Sequence, residues 1–258
     1  MLSEKRIIDA LVQAKTRGVI VKVILEPNPY GNPYINKKTY ATLQKANIVV
    51  VWADATKYTY THAKFFLIDG SFVIMTANMT HSAFVTNREF FIRGSDSNIF
   101  IVLQKIFSAD FDHEAISLSN QNLVISPIDS RKKLESLLST AQKTILLYSE
   151  TFDDKSILQI LENKSSSGTK INVILADPKK VSSNQKTIDF LKSIGVQVFT
   201  PKKPIIHAKA LIIDGSFAYI GSENFTKNSL ENNREVGILT RDKKVVNQLL
   251  QLAKSDEK

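Results

Sequence analysis

The sequence predicts an α/β fold built from two pseudo-twofold-related copies of one unit, each a mixed β-sheet flanked by helices in an αβα sandwich. Three observations carry this. Four blocks of the first half recur in the second at a nearly constant offset, each copy alternates apolar helical faces with β-branched runs, and each holds an Asp-Gly turn between two apolar strands. The clearest pair is THAKFFLIDGSF at 61–72 and IHAKALIIDGSF at 206–217. Residues 8–25 likewise match 158–175, 38–51 match 186–199, and 77–92 match 223–238. The chain divides into a first unit at 1–118 and a second at 119–258, packed like an isologous dimer fused into a monomer.

In chain order, Ile8, Leu11 and Val12 give the apolar face of a helix that stops at Gly18. The run VIVKVIL (19–25) reads as a buried strand. A second helix covers Lys38 to Lys45 and ends at Asn47, where the other copy has Gly195; both types tolerate the left-handed backbone of a helix stop. The strand IVVVW (48–52) follows, then a hairpin around Asp69-Gly70, matched by Asp214-Gly215. Ahead of its first matched helix the second unit adds a helix from Asp129 to Gln142 and a strand within TILLYSETFDD (144–154). At the same offset the first unit has no counterpart of that strand. The first unit is therefore expected to be truncated at its N-terminus, with nothing matching ILLY in its sheet.

The 258 residues are 43% hydrophobic and 23% charged, an ordinary globular composition. The absence of cysteine excludes disulfides, thiolate catalysis and cysteine-based zinc sites. No apolar run is long enough to span a bilayer, and the opening MLSEKRIIDALVQAK carries charges where a signal peptide is apolar. A cytoplasmic or membrane-peripheral location is the default expectation. The net charge of +9 favours polyanionic partners: nucleic acid, anionic lipid headgroups or phosphorylated small molecules. A solubilising lysine surface has the same signature, and pairs such as Lys132-Lys133 and Lys202-Lys203 are scattered rather than gathered into one run.

The doubled stretch carries the chemistry. Each copy reads His-x-Lys-x4-Asp: His62, Lys64 and Asp69, then His207, Lys209 and Asp214. Residues two apart on a strand share a face, so each histidine sits beside its lysine. A neutral imidazole can attack phosphorus or carry a proton, and an ammonium beside it can hold anionic phosphate oxygens. Chance would supply only about 0.02 matches to this pattern in such a composition. A zinc site is disfavoured, because lysine is not a usual ligand and the paired His/Asp/Glu faces are missing. No metal or other cofactor is expected. His81 and His113 have no partner in the repeat and read as surface residues. Downstream, Thr76, Asn78, Asn87, Arg88 and Glu89 match Ser222, Asn224, Asn233, Arg234 and Glu235. An amide can donate to a phosphate oxygen, and a carboxylate can hold an imidazole in one tautomer. The alternative for Asn-Arg-Glu is a strand opening with a salt bridge.

These residues resemble the phospholipase D superfamily, whose signature is His-x-Lys-x4-Asp followed by Gly-Ser and a downstream Gly-Ser-x-Asn. The resemblance covers nearly the whole chain. The second copy, HAKALIIDGSFAYIGSENFT, fits throughout; the first has Met75-Thr76-Ala77-Asn78 where Gly-Ser-x-Asn is expected, so Met75 is expected to narrow that side of the pocket. The resemblance implies that both motifs meet in one active site at the interface of the units. It implies a metal-independent phosphodiesterase or phosphatidyltransferase working through a covalent phosphohistidine, with His62 as nucleophile and His207 as acid and base. Lys64, Lys209, Asn78 and Asn224, with Thr76 and Ser222, would bind phosphate. Glu89 and Glu235 would orient the histidines, and Asp69 and Asp214 would support the motif from the turn. A phospholipid headgroup ester is the first expected substrate, as in phospholipase D and cardiolipin synthase-like proteins, with an anionic membrane surface as a further partner. An endonuclease acting on DNA or RNA is the alternative, for which the positive charge speaks. A binding module without catalysis is the third. The loop EPNPYGNPYINKK (26–38), with two Pro-Tyr pairs, reads either as a substrate contact or as an ordinary connection.

Overall fold

The computed structural model describes residues 1–258. The first half runs α1 (Lys5–Thr16), β1 (Lys22–Leu25), α2 (Ile35–Lys45), β2 (Val49–Trp52), β3 (Phe65–Ile68), β4 (Ser71–Met75), α3 (His81–Val85), β5 (Asn87–Arg88), β6 (Phe91–Gly94) and α4 (Ser97–Phe111). The second runs β7 (Leu123–Ser126), α5 (Ser130–Ser139), β8 (Thr144–Ser149), α6 (Lys155–Ser166), β9 (Lys170–Leu175), α7 (Asn184–Ser193), β10 (Gln197–Phe199), β11 (Ile205–Ile206), β12 (Ala210–Ile213), β13 (Phe217–Gly221), α8 (Lys227–Glu231), β14 (Glu235–Thr240) and α9 (Lys243–Asp256). Each expected helix and strand is present. β1 is shorter than its apolar run, and α2 starts three residues early.

Both Asp-Gly turns form as read. Asp69 and Gly70 take φ 45° and 83°, Asp214 and Gly215 take φ 50° and 60°, the pair of positive values that a type I′ hairpin requires. Asn47 at φ 56° and Gly195 at φ 80° close α2 and α7 in the left-handed region.

The second half builds one mixed sheet of seven strands, ordered β10-β9-β8-β12-β13-β14-β7. β8 is an interior member, third in that order: it pairs parallel with β9 over six residues and antiparallel with β12 over four. In the first half the matching strands form two separate sheets, β1-β2 and β3-β4-β6. β1 and β3, the counterparts of β9 and β12, have no strand between them. Their side chains show it. Ala210 to Ile213 in β12 are buried, whereas Phe65 to Leu67 in β3 are half-buried and Ile68 is 57% exposed.

Three cores follow. Leu134, Leu161, Leu191 and Leu211 pack helices α5 to α7 on the outer face of the large sheet. Leu2, Leu43, Val50 and Met75 form a smaller core on the outer face of the first half. Between them lies a core drawn from both halves, in which Ile74, Leu103 and Ile106 meet Ile125, Ile220, Val236 and Leu249. That shared core holds the two motif strands against each other.

Candidate active site

The two halves are cross-wired at the motifs. β11, which leads into His207, pairs parallel with β5 of the first half. Thr61, just ahead of His62, bridges to Arg234 of the second half. The N–H groups of His62 and Ala63 donate to Arg234 O at 2.9 and 2.8 Å, and the His207 N–H donates to Arg88 O at 3.3 Å. Each motif thus hangs on the Asn-Arg-Glu segment of the opposite copy. The arginines lock this arrangement. Arg88 makes a bidentate contact with Asp256 in α9, with both distances 2.7 Å. Fully buried Arg234 pairs with Asp110 in α4 at 2.9 Å and touches the Tyr58 hydroxyl. The salt-bridge reading of the arginines is therefore the observed one.

The cross-wiring decides which glutamate serves which histidine. Glu235, with no exposed surface, accepts from His62 Nδ1 at 2.8 and 3.0 Å. Ser229 Oγ and Asn233 Nδ2, each at 2.9 Å, hold its Oε1. On the other side, His207 Nδ1 lies 2.7 Å from Glu89 Oε1, as a charge contact rather than an aligned hydrogen bond. Glu89 Oε2 accepts from Thr76 Oγ1 at 2.6 Å. Burial alone would push both carboxyls up. The facing imidazoles and lysines outweigh it and hold both below the usual carboxylate range. His62, in contrast, is pushed down to about 4 by burial, against the pull of Glu235, so it is neutral at neutral pH. With Nδ1–H donated to Glu235, its Nε2 carries the lone pair.

Each lysine folds back on its own motif. Lys64 Nζ donates to His62 O and Lys209 Nζ to His207 O, both at 2.6 Å. Burial lowers Lys64 to about 7, helped by the ammonium of Lys209; Glu235, Glu150 and Glu89 oppose it. Lys64 thus feels charged groups of both copies.

Not every residue expected at the site is there. Asp69 and Asp214 sit at the hairpin tips, and seven strand-like residues set each roughly 20 Å of chain from its histidine. Asp214 instead accepts the N–H groups of Gln142, Lys143 and Thr144 at 2.7 to 2.9 Å, tying the hairpin to the start of β8. Thr76 and Ser222 are buried behind the glutamates: Thr76 holds Glu89, and Ser222 accepts from Val236 N at 3.0 Å. Asn78 and Asn224 lie at the edge. Their Oδ1 atoms accept from the Met1 amino group (3.2 Å) and from Thr151 N (3.3 Å), while their side-chain N–H groups make no bond within the protein.

Met75 does not narrow a pocket. It is buried in the outer core of the first half. Its counterpart Gly221, like Gly237, lies so close to Tyr219 and Glu223 that a Cβ there would collide with them. The first copy has Val73, Ala77 and Phe91 in place of Tyr219, Glu223 and Gly237. The two copies fill the same space with different side chains. Tyr30 and Tyr34 of the 26–38 loop are exposed, and that loop's Glu26 accepts from Thr61 N at 2.7 Å, one residue ahead of His62.

Sequence reasoning missed Glu150. It follows β8 directly, its Oε2 accepts from fully buried Lys209 at 2.9 Å, and it stands 3.4 Å from His207 Nε2. Its only sequence signal is a carboxylate at the end of an apolar strand.

A family model described as "Cardiolipin synthase, PLD-like domain" matches this chain twice, over residues 1–111 and 134–256. Cardiolipin synthase of Listeria welshimeri is 30% identical over 118 residues, 44% of this chain and 24% of that protein. Cardiolipin synthase 1 of Staphylococcus epidermidis is 32% identical over 126 residues, 46% of this chain and 26% of that protein. The matches thus span about a quarter of the length of these relatives. Among solved structures, phosphatidylserine synthase of Haemophilus influenzae superposes with a TM-score of 0.77 at 11% identity, covering 99% of this chain and 77% of that one. Polyphosphate kinase of Porphyromonas gingivalis superposes at 0.74 and 15%, covering 100% of this chain and 44% of that one. At such identities the likeness is one of fold. No helix is long and apolar enough to cross a membrane.

Proposed function

From the premise that this chain belongs to the family of the cardiolipin synthase, PLD-like domain, we propose that it is a metal-independent phosphodiesterase or phosphatidyltransferase. It acts on phospholipid headgroup esters through a covalent phosphohistidine. One observation carries the reading: two imidazoles, each backed by a buried carboxylate of the opposite copy and flanked by a buried ammonium.

His62 Nε2 attacks phosphorus, and the bond from phosphorus to the headgroup oxygen breaks. His207 gives its Nε2 proton to that departing oxygen. Water or an acceptor alcohol then attacks the phosphohistidine, His207 takes the attacker's proton, and the P–N bond breaks. Lys64 and Lys209, with the amides of Asn78 and Asn224, meet the charge that builds on the phosphoryl oxygens. The ammonium groups supply the positive charge that a metal would otherwise bring. Relatives named cardiolipin synthase favour a lipid substrate.

Phosphatidylcholine and phosphatidylglycerol vesicles, single- and double-stranded DNA, and RNA are assayed side by side, with and without EDTA. Headgroup release that survives EDTA is expected. Alkaline denaturing quench of His207→Ala reacted with bis(p-nitrophenyl) phosphate, whose phenolate leaves without a proton, should trap the phosphoryl group on His62. Salt-sensitive cleavage of nucleic acid without headgroup release would transfer the same mechanism to an endonuclease. Loss of all activity in EDTA, restored by a divalent ion, overturns the metal-free mechanism.

A further inference from the structure

The two histidines are not equivalent. His62 meets a carboxylate at Nδ1 only. His207 lies between two: Glu89 Oε1 at 2.7 Å from Nδ1 and Glu150 Oε2 at 3.4 Å from Nε2. A neutral imidazole carries one N–H and turns a lone pair toward any second acceptor, whereas an imidazolium presents N–H at both nitrogens. Both contacts are charge contacts rather than aligned hydrogen bonds, and two negative charges beside one ring favour its cation.

Glu150 is built in place. Buried Asn184 donates to its carbonyl at 2.8 Å, and Lys209, with no exposed surface, donates to its Oε2. It belongs to neither repeated motif. Its field reaches His62 and Lys64 as well as His207 and Lys209. Within the site, the ammonium groups of Lys64 and Lys209 face three carboxylates: Glu89, Glu235 and Glu150.

We infer that Glu150 is a positioning residue whose charge, set beside His207 Nε2, favours a proton there facing the leaving oxygen, and so fits His207 for the acid's part and leaves His62 as the nucleophile. This rests on the two-histidine reading above. Glu150 exchanges no proton itself. The proton that His207 gives to the leaving alcohol returns from the attacking water or alcohol.

The test compares the full chain with Glu150→Gln, which keeps shape and removes charge. Ring 15N NMR of histidine-labelled protein reads protonation without turnover, with His62→Ala and His207→Ala assigning the signals. In Glu150→Gln the His207 ring should lose its second proton at a pH lower by about one unit or more. The His207 ring titrating alike in both proteins overturns the inference, whatever the activity. The kinetic arm uses two leaving groups. On phosphatidylglycerol, whose glycerol must be protonated as it leaves, turnover should fall about tenfold or more. On bis(p-nitrophenyl) phosphate, whose phenolate leaves unaided, it should fall less than threefold. An equal loss on both substrates marks a merely structural residue and also overturns it. A parent protein inactive on every phosphodiester removes the proposed function, while the ring titration still decides whether Glu150 controls the proton.

Discussion

Replacing Glu235 by glutamine tests the tautomer of His62 with one atom changed. Glu235 Oε1 already has two donors, Ser229 Oγ and Asn233 Nδ2, both at 2.9 Å. They fix the glutamine oxygen at that end. The new NH2 then stands where Oε2 stood, 2.8 Å from His62 Nδ1. Two donors cannot face each other there, so the proton moves to Nε2 and Nδ1 becomes the acceptor. The nucleophilic lone pair is lost from the side that faces the site. Restoring the productive tautomer leaves a buried donor opposed, and the developing cation loses its carboxylate. A carboxylate-to-amide change behind a catalytic imidazole costs up to about 10⁴-fold in kcat. We expect a loss of roughly 10²- to 10⁴-fold, or about 3–5 kcal/mol in the barrier. The drop should be alike for phosphatidylglycerol and bis(p-nitrophenyl) phosphate, since attack precedes any need for a leaving-group proton. Initial rates on both, with Tm from circular dichroism, make the measurement. Ser229 and Asn233 keep their partner, so Tm should change little. Activity within tenfold of the parent at unchanged Tm would refute the orienting role of Glu235.

Three further outcomes follow from the same geometry. The kcat/KM profile should rise through about pH 4 as His62 becomes neutral and fall through about pH 7 as Lys64 loses its proton; Lys64→Arg, whose guanidinium stays charged, should move the falling limb upward, and a limb that stays put removes Lys64 from it. Glu223 is raised to about 8 from an ordinary 4.5 by burial and by Glu235, so the fold keeps a proton that the unfolded chain releases, and stability declines as pH rises between those values. That amounts to roughly 3 kcal/mol at pH 7, so the Tm of Glu223→Gln relative to the parent should climb from pH 5 to pH 8, and a constant difference would contradict it. Amides of β1 and β3 should exchange hydrogen faster than those of β9 and β12, because only the latter flank a paired strand; equal protection would count against the split sheet.

Much of the site was legible because the chain writes it twice. Repetition at matched offsets singled out His62, Lys64 and Glu89 with His207, Lys209 and Glu235 without any contact being known. Pairing was not legible. That Glu89 serves His207 follows from β11 crossing to β5, and that Glu235 serves His62 follows from Thr61 bridging to Arg234, both contacts between segments far apart in sequence. The same holds for Arg234 and Asp110, 124 positions apart. Met75 misled because one position was weighed alone. The room at that position depends on its neighbours: Tyr219 and Glu223 leave no space for a Cβ at Gly221, whereas the first copy has the smaller Val73 and Ala77 in their places. Asp69 and Asp214 stand at the hairpin tips that their Asp-Gly pairs marked, and Asp214 ties its hairpin to the start of β8.

The two copies also show why a symmetric motif need not make a symmetric catalyst. β8 alone joins the two parts of the second half's sheet, pairing with β9 and β12, and the residue that follows it is Glu150. One element thus sets two differences. It buries the strand that carries Lys209, leaving His207 12% exposed against 28% for His62, and it delivers the carboxylate that reaches His207 Nε2. A second carboxylate near neutral His62 would oppose attack by its lone pair on an anion, whereas the same carboxylate near His207 favours the proton that the leaving oxygen needs. In the proposed mechanism the division of labour between nucleophile and acid rests on where a single strand is inserted, and moving a carboxylate to the His62 side should slow attack even with both motifs intact.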